Sequence, residues 1–214
     1  MEKDLSNIRQ HFQKNALLEE NTADNPMELF RDWYLEAENE EPGEANTLTI
    51  STVGTDLQPS NRVVLLKRFT WEGFIFYTNY KSKKGQDIAQ NNQVCASFFW
   101  HNLERQIIIK GATEKIAENL SDGYFESRPR GSQLGAMASN QSEIVESREE
   151  LDRRLKELEK QYENKEVPRP KHWGGYIIRP KSIEFWQGRP NRMHDRIRYT
   201  IQEDYVWKKE RLAP

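Results

Sequence analysis

Between about residues 46 and 116 the apolar positions gather into short β-rich runs, at 47–53, 61–69, 74–78, 94–100 and 106–113. Runs of this kind, bounded by turn residues, predict strands. Gly54-Thr55-Asp56 and Trp71-Glu72-Gly73 supply turn chemistry in two of the gaps. The stretch 82–92 opens on Ser82 and predicts a short helix with a serine N-cap. Ahead of the strands, Asn25-Pro26-Met27-Glu28 reads as an N-cap, a proline at the first helical position and a capping-box acid. Leu29, Phe30, Trp33, Tyr34 and Ala37 then fall on one helical face, and Glu41-Pro42-Gly43 ends the helix.

Behind the strands, Ser147-Arg148-Glu149-Glu150 is a second capping box. Leu151, Leu155, Leu158 and Tyr162 mark one face of an exposed amphipathic helix, with Glu149/Arg153 and Glu150/Arg154 pairs on the other. After Pro168-Arg169-Pro170 come strand candidates at 175–178, 183–186 and 196–201, and a last one around 205–208. Many short strands and few long helices predict a mainly β protein with flanking helices, an antiparallel barrel in preference to a doubly wound parallel sheet. Residues 1–24, polar and weakly periodic, read as a flexible N-terminal segment, and 25–214 as a single domain.

Composition narrows the function. Six Trp, eight Tyr and nine Phe in 214 residues provide bulk for a core. A net charge of -2, from 32 basic and 34 acidic groups, argues against a general nucleic-acid or membrane-surface binder, so any phosphate recognition must be local. No run approaches the roughly 20 apolar residues that span a bilayer. The opening Met1-Glu2-Lys3-Asp4-Leu5 lacks the apolar core of a signal peptide, and the expected location is the cytoplasm. Cys95 is the single cysteine, which rules out an intramolecular disulfide; Val94-Cys95-Ala96 predicts a small buried strand residue.

Four segments carry candidate chemistry. In Arg62-Val63-Val64-Leu65-Leu66-Lys67 an apolar middle, expected to be buried, separates two cations. Side chains five apart on a strand face opposite ways, so Arg62 and Lys67 could serve two different anions; two solvated strand ends would read the same. Phe76-Tyr77-Thr78-Asn79 leads through Tyr80-Lys81 to Ser82-Lys83-Lys84-Gly85, placing hydroxyls and lysines at a helix start, which attracts phosphate, although such a turn also makes ordinary surface. Tyr124, Arg128 and Ser132 recur at four-residue intervals and would share a helical face, with Pro129 favouring two short helices over one rod. This donor set suits a phosphate monoester dianion, or is a polar helix end. Finally, Arg192, His194 and Arg196 alternate in a loop after Glu184-Phe185-Trp186-Gln187-Gly188, and in extended geometry would project to one side. Three such groups repel one another unless an anion or acid offsets them. No Walker glycine spacing, GxGxxG, GxSxG elbow or local zinc-ligand spacing is present.

Taken together, and with Leu103-Glu104-Arg105-Gln106, Ser127-Arg128-Pro129 and Trp173-Gly174-Gly175, these segments resemble the pyridoxamine 5'-phosphate oxidase family from about residue 25 to the terminal Arg211-Leu212-Ala213-Pro214. The resemblance implies an FMN-binding split β-barrel, a homodimer with FMN between subunits, and FMN-dependent oxidation of pyridoxine or pyridoxamine 5'-phosphate to pyridoxal 5'-phosphate, with hydride passing to the flavin and oxygen reduced to hydrogen peroxide. It assigns Arg62, Lys67, Tyr77, Thr78, Lys83, Lys84, Gln106, Gln141, Ser142, Trp186 and Arg196 to FMN, and Lys67, Tyr124, Arg128 and Ser132 to the substrate phosphate. Arg192 and His194 would meet the substrate ring as the catalytic pair. Lys83 stands where the family usually has arginine. Near the N-terminus, Arg9-Gln10-His11-Phe12 keeps the arginine of an Arg-x-x-Tyr segment that covers the substrate, making Arg9 a weaker substrate contact and residues 1–24 a possible lid, but replaces its phenol.

Overall fold

The computed structural model describes residues 3–7, 12–40, 43 and 45–214. Arg9 lies outside the described residues, as does most of the expected stop at Glu41-Pro42-Gly43. Helices α1 (Pro26–Glu40), α2 (Lys83–Gln90), α3 (Glu118–Ser127), α4 (Arg130–Ala138) and α5 (Arg148–Gln161) accompany strands β1 (Thr47–Val53), β2 (Pro59–Thr70), β3 (Gly73–Asn79), β4 (Gln93–Trp100), β5 (Arg105–Lys115), β6 (Trp173–Gln187), β7 (Asp195–Ile201) and β8 (Trp207–Leu212). The strand order is β3-β2-β1-β4-β5-β6-β7-β8, and β3 also pairs with β6, which closes six strands into an antiparallel barrel. Among the described residues no helix is long and apolar enough to cross a membrane.

The chain divides into two compact units, one of Thr49–Cys95 and Gly111–Arg179, the other of Met1–Leu48, Ala96–Lys110 and Pro180–Pro214. In the first, β3 pairs with β2 on one side and β6 on the other, and all but Tyr77 of its residues are buried. The β2–β3 hairpin turns at Gly73, whose φ of +148° and 2.0 Å approach of a notional Cβ to the Ile178 carbonyl oxygen admit only glycine. The register shifts between Leu66 and Arg68, so Lys67 is the extra residue of a β-bulge, a device that redirects a side chain. Ser82 caps α2 by accepting from Gly85 N–H, and Ser147 caps α5 by accepting from Glu150 N–H. A break at Arg128-Pro129 separates α3 from α4, as proline at that position requires. Phe125, Leu134, Val167 and Trp173 form a small core against which Leu155, Leu158 and Tyr162 of the α5 segment pack. On its outer face Arg154 pairs with Glu150, whereas Arg153 turns to Glu157.

In the second unit, Asn25 caps α1 by accepting from Met27 N–H, and buried Phe30 and Trp33 meet Phe98, Trp100 and Phe185. β6, β7 and β8 form an antiparallel ladder in which Trp186 lies opposite Arg196 and Ile197 opposite Arg211. Within the N-terminal segment Leu17 is buried, and its N–H donates to Asp195.

Several expectations change. The candidates at 175–178 and 183–186 are one strand, β6, running through Pro180. The last strand begins after Tyr205, which sits in a turn with φ of +63°. Val63, expected to be buried, is 62% exposed, and Cys95 is half-buried.

Candidate active site

A cavity of about 660 Å³ opens in the first unit. Three cations line it, Lys67, Lys84 and Arg128, and among the described residues no carboxylate does. A pocket that collects positive charge without an acid to offset it is built for an anion, because like charges otherwise repel at close range.

One cluster forms around Lys84, which α2 carries inward and which is only 6% exposed. Its Nζ donates to Thr78 Oγ1 at 3.1 Å and to Gln141 Oε1 at 3.2 Å, and Thr78 Oγ1 itself donates to Gln141 Oε1. Burial, followed by the positive charge of Arg62, pushes this ammonium down to about 8. Beside it, Arg62 donates to Thr52 Oγ1 at 2.7 Å, Thr52 donates to the buried carboxylate of Asp87, and Lys83 pairs with the same carboxylate at 2.7 Å. Arg62 and Lys83 are thus held beside Lys84 but do not line the cavity, and neither does Ser142, an exposed residue with φ of +75°.

The second cluster lies across the α3–α4 break. Tyr124, Arg128 and Ser132, with Lys67 from the bulge in β2, line the same cavity. The expected shared face survives the interruption of the helix. Arg128 sits over the Trp173 ring at 4.6 Å, and its buried Nη1 meets no acceptor among the described residues. Burial lowers its pKa. Tyr77, Tyr124 and Trp173 stack nearly parallel, Tyr77 to Tyr124 at 4.0 Å and Tyr77 to Trp173 at 5.4 Å.

The remaining predicted residues belong to the second unit. His194 packs against Trp186 at 4.7 Å and against Phe12 at 5.8 Å. Its Nδ1 accepts from the Arg189 N–H at 3.1 Å, which leaves Nε2 to carry the proton of the neutral ring. Burial, then the charge of Arg192, lowers its pKa, so the neutral form is favoured. Arg196 pairs with Glu184 at 2.8 Å, supplying the offsetting acid, and Gln106 is half-buried on β5. Arg192 departs from the expected alternation: it ends a 3-10 turn, Pro190–Arg192, in which Asn191 and Arg192 both adopt left-handed φ, 58° and 62°. It is therefore not in the extended geometry that would align it with His194 and Arg196.

Sequence reasoning missed Asp87 and Trp173. The Lys83/Asp87 spacing of four on a helix was a legible signal for the first. For Trp173, quoted only as part of a motif, no local pattern announces contact with Arg128, forty-five positions earlier in the chain.

The family model described as Pyridoxamine 5'-phosphate oxidase matches residues 35–162, and that described as Pyridoxine 5'-phosphate oxidase C-terminal dimerisation region matches residues 173–214. The chain is 60% identical over 213 residues to the pyridoxine/pyridoxamine 5'-phosphate oxidase of Flavobacterium psychrophilum, covering 99% of this chain and 100% of that protein. It is 48% identical over 214 residues to that of Trichormus variabilis, covering 100% of both. The crystal structure of PhzG from Burkholderia lata 383 in complex with tetrahydrophenazine-1-carboxylic acid is similar with a TM-score of 0.86 at 27% identity, over 94% of this chain and 98% of that one. A pyridoxamine 5'-phosphate oxidase-related, FMN binding protein from Nostoc punctiforme shares the fold, with a TM-score of 0.71 at 14% identity over 91% of this chain and 99% of that one. Matched along its length by family and relatives alike, the chain belongs to the pyridoxamine 5'-phosphate oxidase family of FMN-dependent oxidoreductases and carries its split β-barrel.

Proposed function

We propose that the protein binds FMN and oxidises pyridoxamine 5'-phosphate and pyridoxine 5'-phosphate to pyridoxal 5'-phosphate. The observation that carries this reading is the cavity whose described lining holds three cations in two clusters and no acid. FMN and the substrate each bring a phosphate monoester and a flat aromatic ring. A buried ammonium with only neutral partners, an orphaned guanidinium nitrogen and a stack of aromatic faces fit that pair of ligands. The names of relatives along the whole length support the same activity.

In this reading Lys84, Thr78 and Gln141 hold FMN, helped by Arg62 and Lys83, while Lys67, Tyr124, Arg128 and Ser132 grip the substrate phosphate. Tyr77, Gln106, Ser142, Trp186 and Arg196 complete the cofactor contacts. When bound, FMN would supply the acceptor for hydride from the carbon bearing the amine or alcohol and the link to oxygen as final oxidant, with hydrogen peroxide as product and, for the amine, water releasing ammonia from the imine to leave the aldehyde. The protein's share is positioning, which lowers a barrier by presenting the reacting carbon at the correct distance and angle. His194, with Nε2 carrying the proton, donates a hydrogen bond to the ring substituents, and Arg192 lies over the ring. The N-terminal segment acts as a lid for the substrate, a reading supported by Phe12, which packs against Trp186 and His194. The active unit is a homodimer in the cytoplasm, a reading supported for the dimer by the dimerisation region matched at 173–214.

The visible spectrum of the purified, FMN-reconstituted protein tests cofactor and chemistry together. Flavin absorbance that bleaches on anaerobic addition of pyridoxamine 5'-phosphate is the expected result. Failure to bind FMN, or a spectrum unchanged by saturating substrate, would overturn the proposal.

A further inference from the structure

Arg128 is a half-buried guanidinium that has no carboxylate partner among the described residues. A guanidinium in such surroundings is ordinarily neutralised by an acid, which would occupy its in-plane donors and repel an incoming anion. The partner here is an aromatic face: the Arg128 Cζ lies 4.6 Å from the centroid of the Trp173 ring, while Nη1 meets no acceptor among the described residues. A π face offsets positive charge from above the guanidinium plane and uses none of its N–H groups. The indole is itself firmly held. Trp173 is 7% exposed, pairs with Asn79 in the β3–β6 ladder, stacks with Tyr77 and meets Phe125 edge-on at 5.2 Å.

We propose that Trp173 is a positioning residue for the phosphate site, a platform that holds the Arg128 guanidinium flat and charged while leaving its edge open to a phosphate monoester. The inference rests on the reading of Arg128 as a phosphate contact. Tyr77 and Tyr124, stacked with Trp173, extend the platform to two other residues of the cavity wall, so the anion site is preorganised before the ligand arrives.

The test compares FMN-loaded wild type, Trp173→Leu, Trp173→Phe and Arg128→Ala. Inorganic phosphate is titrated by calorimetry, and KM and kcat are measured for pyridoxamine 5'-phosphate and for unphosphorylated pyridoxamine. Trp173→Leu is expected to weaken phosphate binding about five- to thirtyfold and to raise KM for the phosphorylated substrate to match, with kcat within about twofold. KM for pyridoxamine stays where it was, and Trp173→Phe recovers most of the loss. Equal damage to both substrates would mark a merely structural role and reject the proposal. Phosphate affinity unchanged in Trp173→Leu but lost in Arg128→Ala rejects the platform and leaves the site standing. Affinity unchanged in Arg128→Ala removes the phosphate site itself, and the platform with it. Where Trp173→Leu loses FMN, fluorinated tryptophan at this position decides the question, because it keeps the ring's shape while withdrawing its π density. Phosphate affinity that falls with each added fluorine upholds the platform; a flat response rejects it.

Discussion

The Lys84 ammonium lies 3.2 Å from the Gln141 amide oxygen and 3.1 Å from Thr78 Oγ1, with no carboxylate among the described residues that line the cavity around it. A charge kept in this way is a cost to the empty protein. Its pKa of about 8 lies below the ordinary 10.5, so between those values the unfolded chain holds a proton that the folded chain has released. Stability of the FMN-free protein is therefore expected to rise with pH through that window, with the full penalty present below it. Lys84→Met should stabilise the FMN-free protein at pH 7 by about 1 to 3 kcal/mol and abolish the rise. Thermal melts of both proteins at pH 7 and pH 10 check this; a Lys84→Met protein that melts earlier at pH 7 contradicts it.

The same lysine makes cofactor choice depend on the phosphate. FMN should bind at least about a hundredfold more tightly than riboflavin, since two charge-assisted hydrogen bonds contribute roughly 1.5 to 3 kcal/mol each. FMN affinity should decline above about pH 8 as Lys84 loses its proton, and riboflavin affinity should not. Fluorescence titrations across that range distinguish the two, and equal affinities would remove the phosphate from this end of the cavity.

Arg128→Ala should raise KM for pyridoxamine 5'-phosphate by at least about tenfold while kcat changes little. A contact to a group remote from the reacting carbon stabilises ground and transition states alike. Steady-state kinetics with saturating oxygen separate the two constants. A large fall in kcat at unchanged KM would reassign Arg128 to the chemistry.

Arg192→Lys keeps the charge but not the flat guanidinium that the proposed reading stacks on the substrate ring. FMN content and oligomeric state should survive, while anaerobic flavin reduction slows by roughly ten- to a thousandfold, about 1.4 to 4 kcal/mol of barrier. The paired left-handed residues Asn191 and Arg192 give this turn a geometry that lysine at 192 also accepts only under strain, so the loss arises from the head group. Stopped-flow reduction at wild-type speed would return Arg192 to ordinary surface.

Features decided within a few residues were legible from the chain alone. Asn25, Ser82 and Ser147 cap helices through bonds to N–H groups two or three positions on, and Pro129 breaks α3 from α4 through its own ring. The cations of the site were legible as well, by their resemblance to a family pattern. Their partners within the fold were not. Lys83 and Lys84 are neighbours on one helical turn, and nothing in their order says that the first would pair with Asp87 while the second turned inward to meet Thr78 and Gln141. The pattern along the chain predicted separate strands at 175–178 and 183–186, yet β6 runs through Pro180, which falls between the residues up to Ile178 that pair with β3 and those from Ser182 that pair with β7. Arg128 and Trp173 meet only because the turn between α3 and α4 and the start of β6 face one cavity. Local bonding, short in range, is written in adjacent residues; the partner of a buried charge is chosen by the packing of distant segments, which a linear pattern does not contain.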